Sequence, residues 1–196
     1  GALTIALQKR HTICNEIDEI RLENLRREGY NKVTDQDALK PFGYGKIFDG
    51  VVMNPPFLKP AKKVDTMIFN ALSCMKDDGR CAILRDGWNQ FEDYLGYQHR
   101  RSNVAFYDAL FEQYNVKKII NINAFETYSK QGTVTFMQII LIDGRKKVID
   151  ESNHRLKDPD IDITEPCGFK ELWNIFKPYI NSVSNLLIKE LKLLNK

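Results

Sequence analysis

Two hydrophobic rhythms alternate along the first 142 residues of this 196-residue chain. Stretches with apolar residues three or four positions apart give way to short, nearly continuous apolar runs, the pattern of strands joined by crossover helices in a mostly parallel sheet. Residues 2–9 suit a helix, and residues 11–15 a short buried strand. Ile20, Leu22 and Leu25 stand at near-helical spacing, which predicts a helix over Asp18–Glu28 with Asp18 as its cap and Gly29 as its stop. Residues 31–34 carry a weaker strand pattern that runs into Asp35-Gln36-Asp37.

The run at 47–53 reads as a strand that must end at Asn54-Pro55-Pro56, because two consecutive prolines donate no ladder hydrogen bonds. A helix is expected over 64–75, a turn at Asp77-Asp78-Gly79, a strand over 80–84 and a helix over 99–114. Val116–Ile122 and Val134–Ile142 are β-branched runs around a polar loop too poor in helical spacing for a crossover, so they read as an antiparallel pair at the sheet's edge. The expected fold class is α/β, a mostly parallel sheet with an antiparallel edge hairpin and helices on both faces. Residues 1–142 make one domain in this reading. Residues 143–166, with mixed charge, Pro159 and Pro166, read as a linker or long loop, and 167–196 as a helical tail kinked near Pro178. The tail's Leu186, Leu187, Leu191 and Leu194 form an apolar stripe suited to packing.

Composition narrows the classes. A hydrophobic share of 43% is enough for a sizeable core, while a net charge of +3 gives no bulk electrostatic argument for nucleic acid, so any basic groove must come from local clustering. Cys14, Cys74, Cys81 and Cys167 lie too far apart for a zinc ribbon or redox dithiol, and His11, His99 and His154 have no ligand spacing with them. No metal is expected, and the cysteines read as free thiols of a reducing, cytoplasmic compartment. No apolar run approaches the roughly 20 residues that span a bilayer, and there is no signal-peptide pattern.

The chemistry concentrates in Phe48-Asp49-Gly50-Val51-Val52-Met53-Asn54-Pro55-Pro56-Phe57. An exocyclic amine on an aromatic ring is a poor nucleophile because its lone pair is delocalised. The Asn54 side-chain carbonyl and the Pro55 backbone carbonyl can both accept hydrogen bonds from such an amine and stabilise the positive charge that develops on transfer. Two prolines aim these acceptors before the substrate arrives. Phe57 offers a flat apolar face on which an extruded base can stack, a contact worth about 1–3 kcal/mol. Lys59, Lys62 and Lys63 follow the corner and suit phosphates or a solvated surface equally well; His99-Arg100-Arg101, beside Tyr94 and Tyr97, could meet phosphates, though a solvated helix start is the commoner role for such a cluster.

This stretch resembles the catalytic motif of the S-adenosylmethionine-dependent adenine-N6 DNA methyltransferases, and the resemblance extends over about residues 1–142. It implies a Rossmann-like methyltransferase fold with S-adenosylmethionine as cofactor. Gly1 and Ala2, in Gly1-Ala2-Leu3-Thr4, look like the end of the glycine-rich loop that opens the first helix. Glu16 stands where the family places an acid on the ribose hydroxyls, Ile17 where a side chain lies against the cofactor's adenine, and Asp37 with Ala38 where that adenine's amino group is read. More loosely, Gly79-Arg80 through Arg85-Asp86-Gly87 resembles the family's fifth-strand region, and Phe125–Thr135 the loop that walls the target-base pocket.

The sequence departs from the family in two places. The strand and most of the glycine loop that precede the first helix, central in the family's sheet, are not in this sequence, so the reading is of an N-terminally truncated catalytic domain whose sheet is split unless another segment fills the gap. No sizeable target-recognition domain follows residue 142, so additional domains or a separate specificity subunit are expected to read the DNA sequence. The function implied is adenine-N6 methylation of DNA in a restriction-modification or mobile-element setting. The same tetrapeptide also serves RNA base methyltransferases, and a non-catalytic nucleic-acid-binding or assembly module remains an alternative; glutamine methylation in proteins usually goes with tyrosine in place of Phe57.

Overall fold

The computed structural model of the protein describes residues 7–56, 60–86, 101–123, 137–147, 162–163, 167–168 and 170–177. In chain order the elements are β1 (Ile13–Asn15), α1 (Glu19–Arg27), β2 (Lys32–Thr34), β3 (Phe48–Met53), α2 (Ala61–Ser73), β4 (Met75–Asp86), α3 (Arg101–Gln113), β5 (Tyr114–Ile122), β6 (Met137–Arg145), β7 (Asp162–Ile163) and α4 (residues 170–177).

Local chemistry explains most of the boundaries. Asp18 caps α1 by accepting from Arg21 N at 2.9 Å, and Gly29 ends the helix in the left-handed region at φ +89°. Leu22 and Leu25 are buried as expected, but Ile20 is 75% exposed. Two residues turn an α-helix by about 200°, so Ile20 points away from the face that carries Leu22. The helix expected over 2–9 falls partly on residues 1–6, outside the described ones; Leu7 and Gln8 are not helical, and Lys9–His11 form a single 3₁₀ turn closed by His11 N donating to Gln8 O. Helix α2 begins at 61, three residues before the expected start, because Pro60 supplies an extended N-cap and leaves Ala61 free to open the helix.

The turn expected at Asp77-Asp78-Gly79 is absorbed into β4 as an irregularity. Between the pairs Phe48↔Met75 and Gly50↔Arg80, β3 advances two residues while β4 advances five. Gly79 lies at the crowded point of this bulge, where a Cβ would fall 2.5 Å from Met75 Cγ and 3.1 Å from the carbonyl oxygens of Lys76 and Phe48.

Strands β1 and β2 pair in parallel as a two-stranded sheet, and a second sheet runs in the order β3-β4-β6-β5-β7. Strands β3 and β4 are parallel, whereas β6 runs antiparallel to both β4 and β5, giving the expected hairpin. Among the described residues β1 pairs only with β2, and β3 only with β4. Asp162–Ile163, within the segment read as a linker, add β7 in parallel to β5, and Cys167 bridges Ile122.

Helices α2 and α3 cover one face of the larger sheet. Val64, Ile68 and Leu72 line the buried side of α2 at four-residue spacing and pack with Cys81, Ile83, Phe106, Leu110, Ile140 and Ile142. Each such fully buried aliphatic contributes about 1.5–3 kcal/mol relative to exposure. On the opposite face Leu172 of α4 packs with Leu84, Ile122, Met137 and Ile139, so helices lie on both faces. No helix among the described residues is long and apolar enough to cross a membrane.

Candidate active site at the carboxyl ends of the strands

In an open α/β sheet, ligands bind beyond the carboxyl ends of the strands where the strand order reverses, since loops there diverge and leave a crevice. Here β1 and β2 pair in one sheet, and β3 and β4 lie side by side in the other. The candidate residues follow the carboxyl ends of β1, β2 and β3.

Asn54, Pro55 and Pro56 form the corner that leaves β3. Asn54 and Pro56 are exposed and Pro55 is half-buried. Among the described residues no group hydrogen-bonds to the Asn54 side chain or to the Pro55 carbonyl, so both oxygens stand uncommitted at an accessible corner. β3 itself is held in register by β4 through Met53↔Ile83, and the packing of Val51 and Met53 against the α2/α3 core fixes the strand from one side. Phe57 lies outside the described residues, as do Gly1 and Ala2.

The loops after β1 and β2 are tied together by a residue that sequence reasoning did not single out. Asn15 donates through Nδ2 to Gln36 O at 2.9 Å and accepts at Oδ1 from Gln36 N and Thr34 Oγ1, both at 2.9 Å. Glu16 N donates to Thr34 O at 2.9 Å. The one local signal was an amide side chain at the end of a strand pattern, immediately before Glu16.

These bonds set Glu16 and Ile17 beside the segment that carries Asp37 and Ala38. Glu16 is partly buried; its Oε1 accepts from Asp18 N at 3.0 Å and its Oε2 lies 3.8 Å from Arg21. Each carboxylate oxygen keeps a further lone pair for a hydroxyl donor. Ile17 is 65% exposed and, with Asp35, borders an open depression of about 430 Å³ against α1. Asp37 uses Oδ1 to accept from Leu39 N at 2.9 Å, which shapes its own turn. Ala38 O accepts from Asn70 Nδ2 at 2.9 Å, tying this loop to α2, the helix that follows the Asn54 corner.

An acid, an exposed aliphatic and a second acid on neighbouring loops fit the ribose, adenine face and adenine amino group of a nucleoside cofactor in chemical type. The structure brings Glu16, Ile17, Asp37 and Ala38 together through β1 and β2, and sets Asn54, Pro55 and Pro56 at the end of β3. Lys62 and Lys63 are exposed in the first turn of α2; Lys59, Tyr94, Tyr97, His99 and the loop 125–135 lie outside the described residues. The four cysteines are buried and free, and no cluster of three or more metal-ligating side chains occurs among the described residues.

No protein-family model matches the sequence, and no curated protein does. Solved structures do match in fold. One is described as a putative class I S-adenosylmethionine-dependent methyltransferase from Listeria monocytogenes, with a TM-score of 0.53 and 11% identity over 87% of this chain and 54% of that one. Another is described as a modification subunit of a putative type I restriction enzyme from Vibrio vulnificus, with a TM-score of 0.50 and 15% identity over 87% of this chain and 40% of that one. The chain thus spans about half the length of each, or less. At these identities the likeness is one of architecture, and the architecture is the Rossmann-like methyltransferase fold.

Proposed function

We propose that this chain is the catalytic portion of an S-adenosylmethionine-dependent methyltransferase acting on the exocyclic N6 amine of adenine in DNA. The observation that carries the reading is the proline-fixed corner after β3, where the Asn54 and Pro55 oxygens are accessible and uncommitted among the described residues. The fold shared with the Listeria methyltransferase and the Vibrio modification subunit supports it. The second of these favours DNA over RNA and a restriction-modification setting.

S-adenosylmethionine, when bound, supplies the methyl group. Glu16 holds the ribose hydroxyls, Ile17 covers one face of the adenine, and Asp37 with Ala38 meets its amino group. Asn54 Oδ1 and Pro55 O accept the two hydrogens of the target amine. This pulls the nitrogen toward tetrahedral geometry, localises its lone pair out of conjugation with the ring and stabilises the positive charge that develops on it, until the surplus amine proton is lost to solvent. Because the corner is rigid before substrate arrives, little reorganisation is needed at the moment of transfer. Phe57, next in the chain, supplies the stacking face for a base turned out of the duplex. Target-sequence reading belongs to further domains or to a specificity subunit, since the residues discussed here contact one base and one cofactor.

The test is a methyl-transfer assay with tritiated S-adenosylmethionine and the full natural polypeptide, offered duplex DNA, total RNA and ribosomal protein separately. Label should enter DNA and digest to N6-methyladenine. Label confined to RNA or protein contradicts the substrate assignment.

A further inference from the structure

One row of side chains breaks the apolar pattern of the α2/α3 face. Arg85, Gln138 and Asn121 are direct cross-strand partners on β4, β6 and β5, and they are 1%, 1% and 8% exposed. The alternation of each strand puts all three on the same face as Ile83 and Ile140, beneath α2 and α3. Gln138 Nε2 donates to Asn121 Oδ1 at 2.7 Å, Tyr107 Oη of α3 donates to Gln138 Oε1, and Cys167 Sγ lies 3.2 Å from Asn121 O. At the β3 end of the row the Arg85 guanidinium sits 3.9 Å from the centre of the Phe106 ring and 5.8 Å from that of Tyr107. Its Nη1 is 3.5 Å from Asp65 Oδ1, and its Nε is 3.6 Å from Asp86 Oδ1.

Such a row opposes folding. A buried guanidinium needs both charge compensation and hydrogen bonds, yet among the described residues Arg85 Nε and Nη1 and Asp65 Oδ1 make no hydrogen bond. Apolar residues of similar volume would be at least as stable there, so stability does not account for the arrangement. Its position does. Met53 pairs with Ile83, so the row lies two residues further along β4 than the partner of the last β3 residue, level with the corner that Asn54 opens. Asp65 belongs to the second turn of α2, the helix into which that corner leads.

We propose that Arg85 and Asp65 are positioning residues: the ion pair between β4 and α2 fixes the direction in which the chain leaves β3 through Asn54, and hence the aim of the Asn54 oxygen. The proposal rests on the methyltransferase reading for its kinetic arm. The mechanism is geometric. The strand fixes one end of the corner, the Arg85–Asp65 pair fixes the helix at the other, and the aromatic shelf of Phe106 and Tyr107 restricts the guanidinium to one plane. The polar row through Gln138 and Asn121 carries that restraint to the hairpin strands.

The test compares R85M, D65N and the double variant R85M/D65L with the full natural polypeptide. R85M leaves the buried Asp65 carboxylate without its cation and should lower Tm, whereas D65N, which mimics the neutral carboxyl that burial favours, should lower it less. The double variant removes both charges and should recover the parent's Tm to within about 3 °C, as uncharged replacements of buried pairs do. Its kcat should still be about 10- to 100-fold below the parent's, with KM for DNA and cofactor affinity within about two-fold, the pattern of misaimed catalytic geometry. Recovery of kcat together with Tm would overturn the proposal, because a purely structural pair behaves that way. Amide hydrogen exchange over residues 54–68 of R85M supplies an arm that needs no activity. Faster exchange there than in β5 and β6 supports the positioning role even if the parent transfers no methyl group, which would count against the function alone. Exchange equal to the parent's overturns it.

Discussion

Replacing Asn15 by alanine removes three hydrogen bonds at once, each 2.9 Å long, that join the loop after β1 to the segment after β2. Net contributions of 0.5–1.5 kcal/mol are usual for such bonds, and because Asn15 is exposed the lower half of that range applies, giving about 2 kcal/mol for the set. For a chain of this size the corresponding fall in Tm is about 4–8 °C. Part of the loss should appear in function, because Asn15 holds Glu16 beside the segment that carries Asp37 and Ala38. Calorimetric titration of the variant with S-adenosylmethionine should show an affinity lower by about ten-fold, the equivalent of 1.4 kcal/mol. Asn15→Asp is the sharper control: it keeps an acceptor for Gln36 N and Thr34 Oγ1 but sets a carboxylate oxygen against the Gln36 carbonyl, so it should fall between parent and alanine variant. A lower Tm with unchanged affinity would refute the claim that these loops hold the cofactor. An unchanged Tm would refute the clamp itself.

Three further outcomes follow from other parts of the molecule. Arg145, 16% exposed, donates to Leu72 O at 2.6 Å at the carboxyl end of α2 and lies 4.8 Å from the Tyr114 ring; Arg145→Ala should cost about 2–4 kcal/mol in urea unfolding, and a loss under about 1 kcal/mol would contradict its capping role. Burial raises the Asp65 carboxyl above its ordinary range, against the opposing pull of Arg85. The fold therefore favours the protonated form, so Asp65's contribution is complete below the ordinary carboxylate range and is lost as pH rises through its raised value. The stability of the parent relative to D65N should accordingly fall from acid toward neutral pH, and an advantage that grows with pH would contradict the assignment. Burial also pushes the Cys81 thiol up to about 12, so alkylation at pH 8 should spare Cys81 in the folded protein and reach it only after unfolding; rapid labelling of the native state would show that this strand is not packed as described.

The sequence was most informative where one residue decides the backbone. Pro55 and Pro56 end β3 because they have no amide to donate, and Asp18 and Gly29 bound α1 by capping and by a left-handed turn. The same directness located Asn54, Pro55 and Pro56 at a strand's carboxyl end, and the loops carrying Glu16, Ile17, Asp37 and Ala38 come together because β1 and β2 pair in parallel. Features that depend on register left no local trace. Asn15 acquires its meaning only when β2 lies beside it. Arg85, Gln138 and Asn121 look like isolated polar residues in apolar strands until β4, β6 and β5 align them in one row. Ile20 misled because hydrophobic character was counted without its angle around the helix, and β7 is too short for any period to be visible.

The central claim is that the oxygen lone pairs at the corner after β3 act on an adenine amine. It is tested most directly by nucleoside mass spectrometry of DNA incubated with S-adenosylmethionine and either the parent or its Asn54→Ala variant, with cofactor binding measured on both. The account predicts N6-methyladenine from the parent and at least about 100-fold less from the variant, the scale of losing one transition-state acceptor, with cofactor dissociation constants within about two-fold. A variant that methylates adenine within a few-fold of the parent would contradict it.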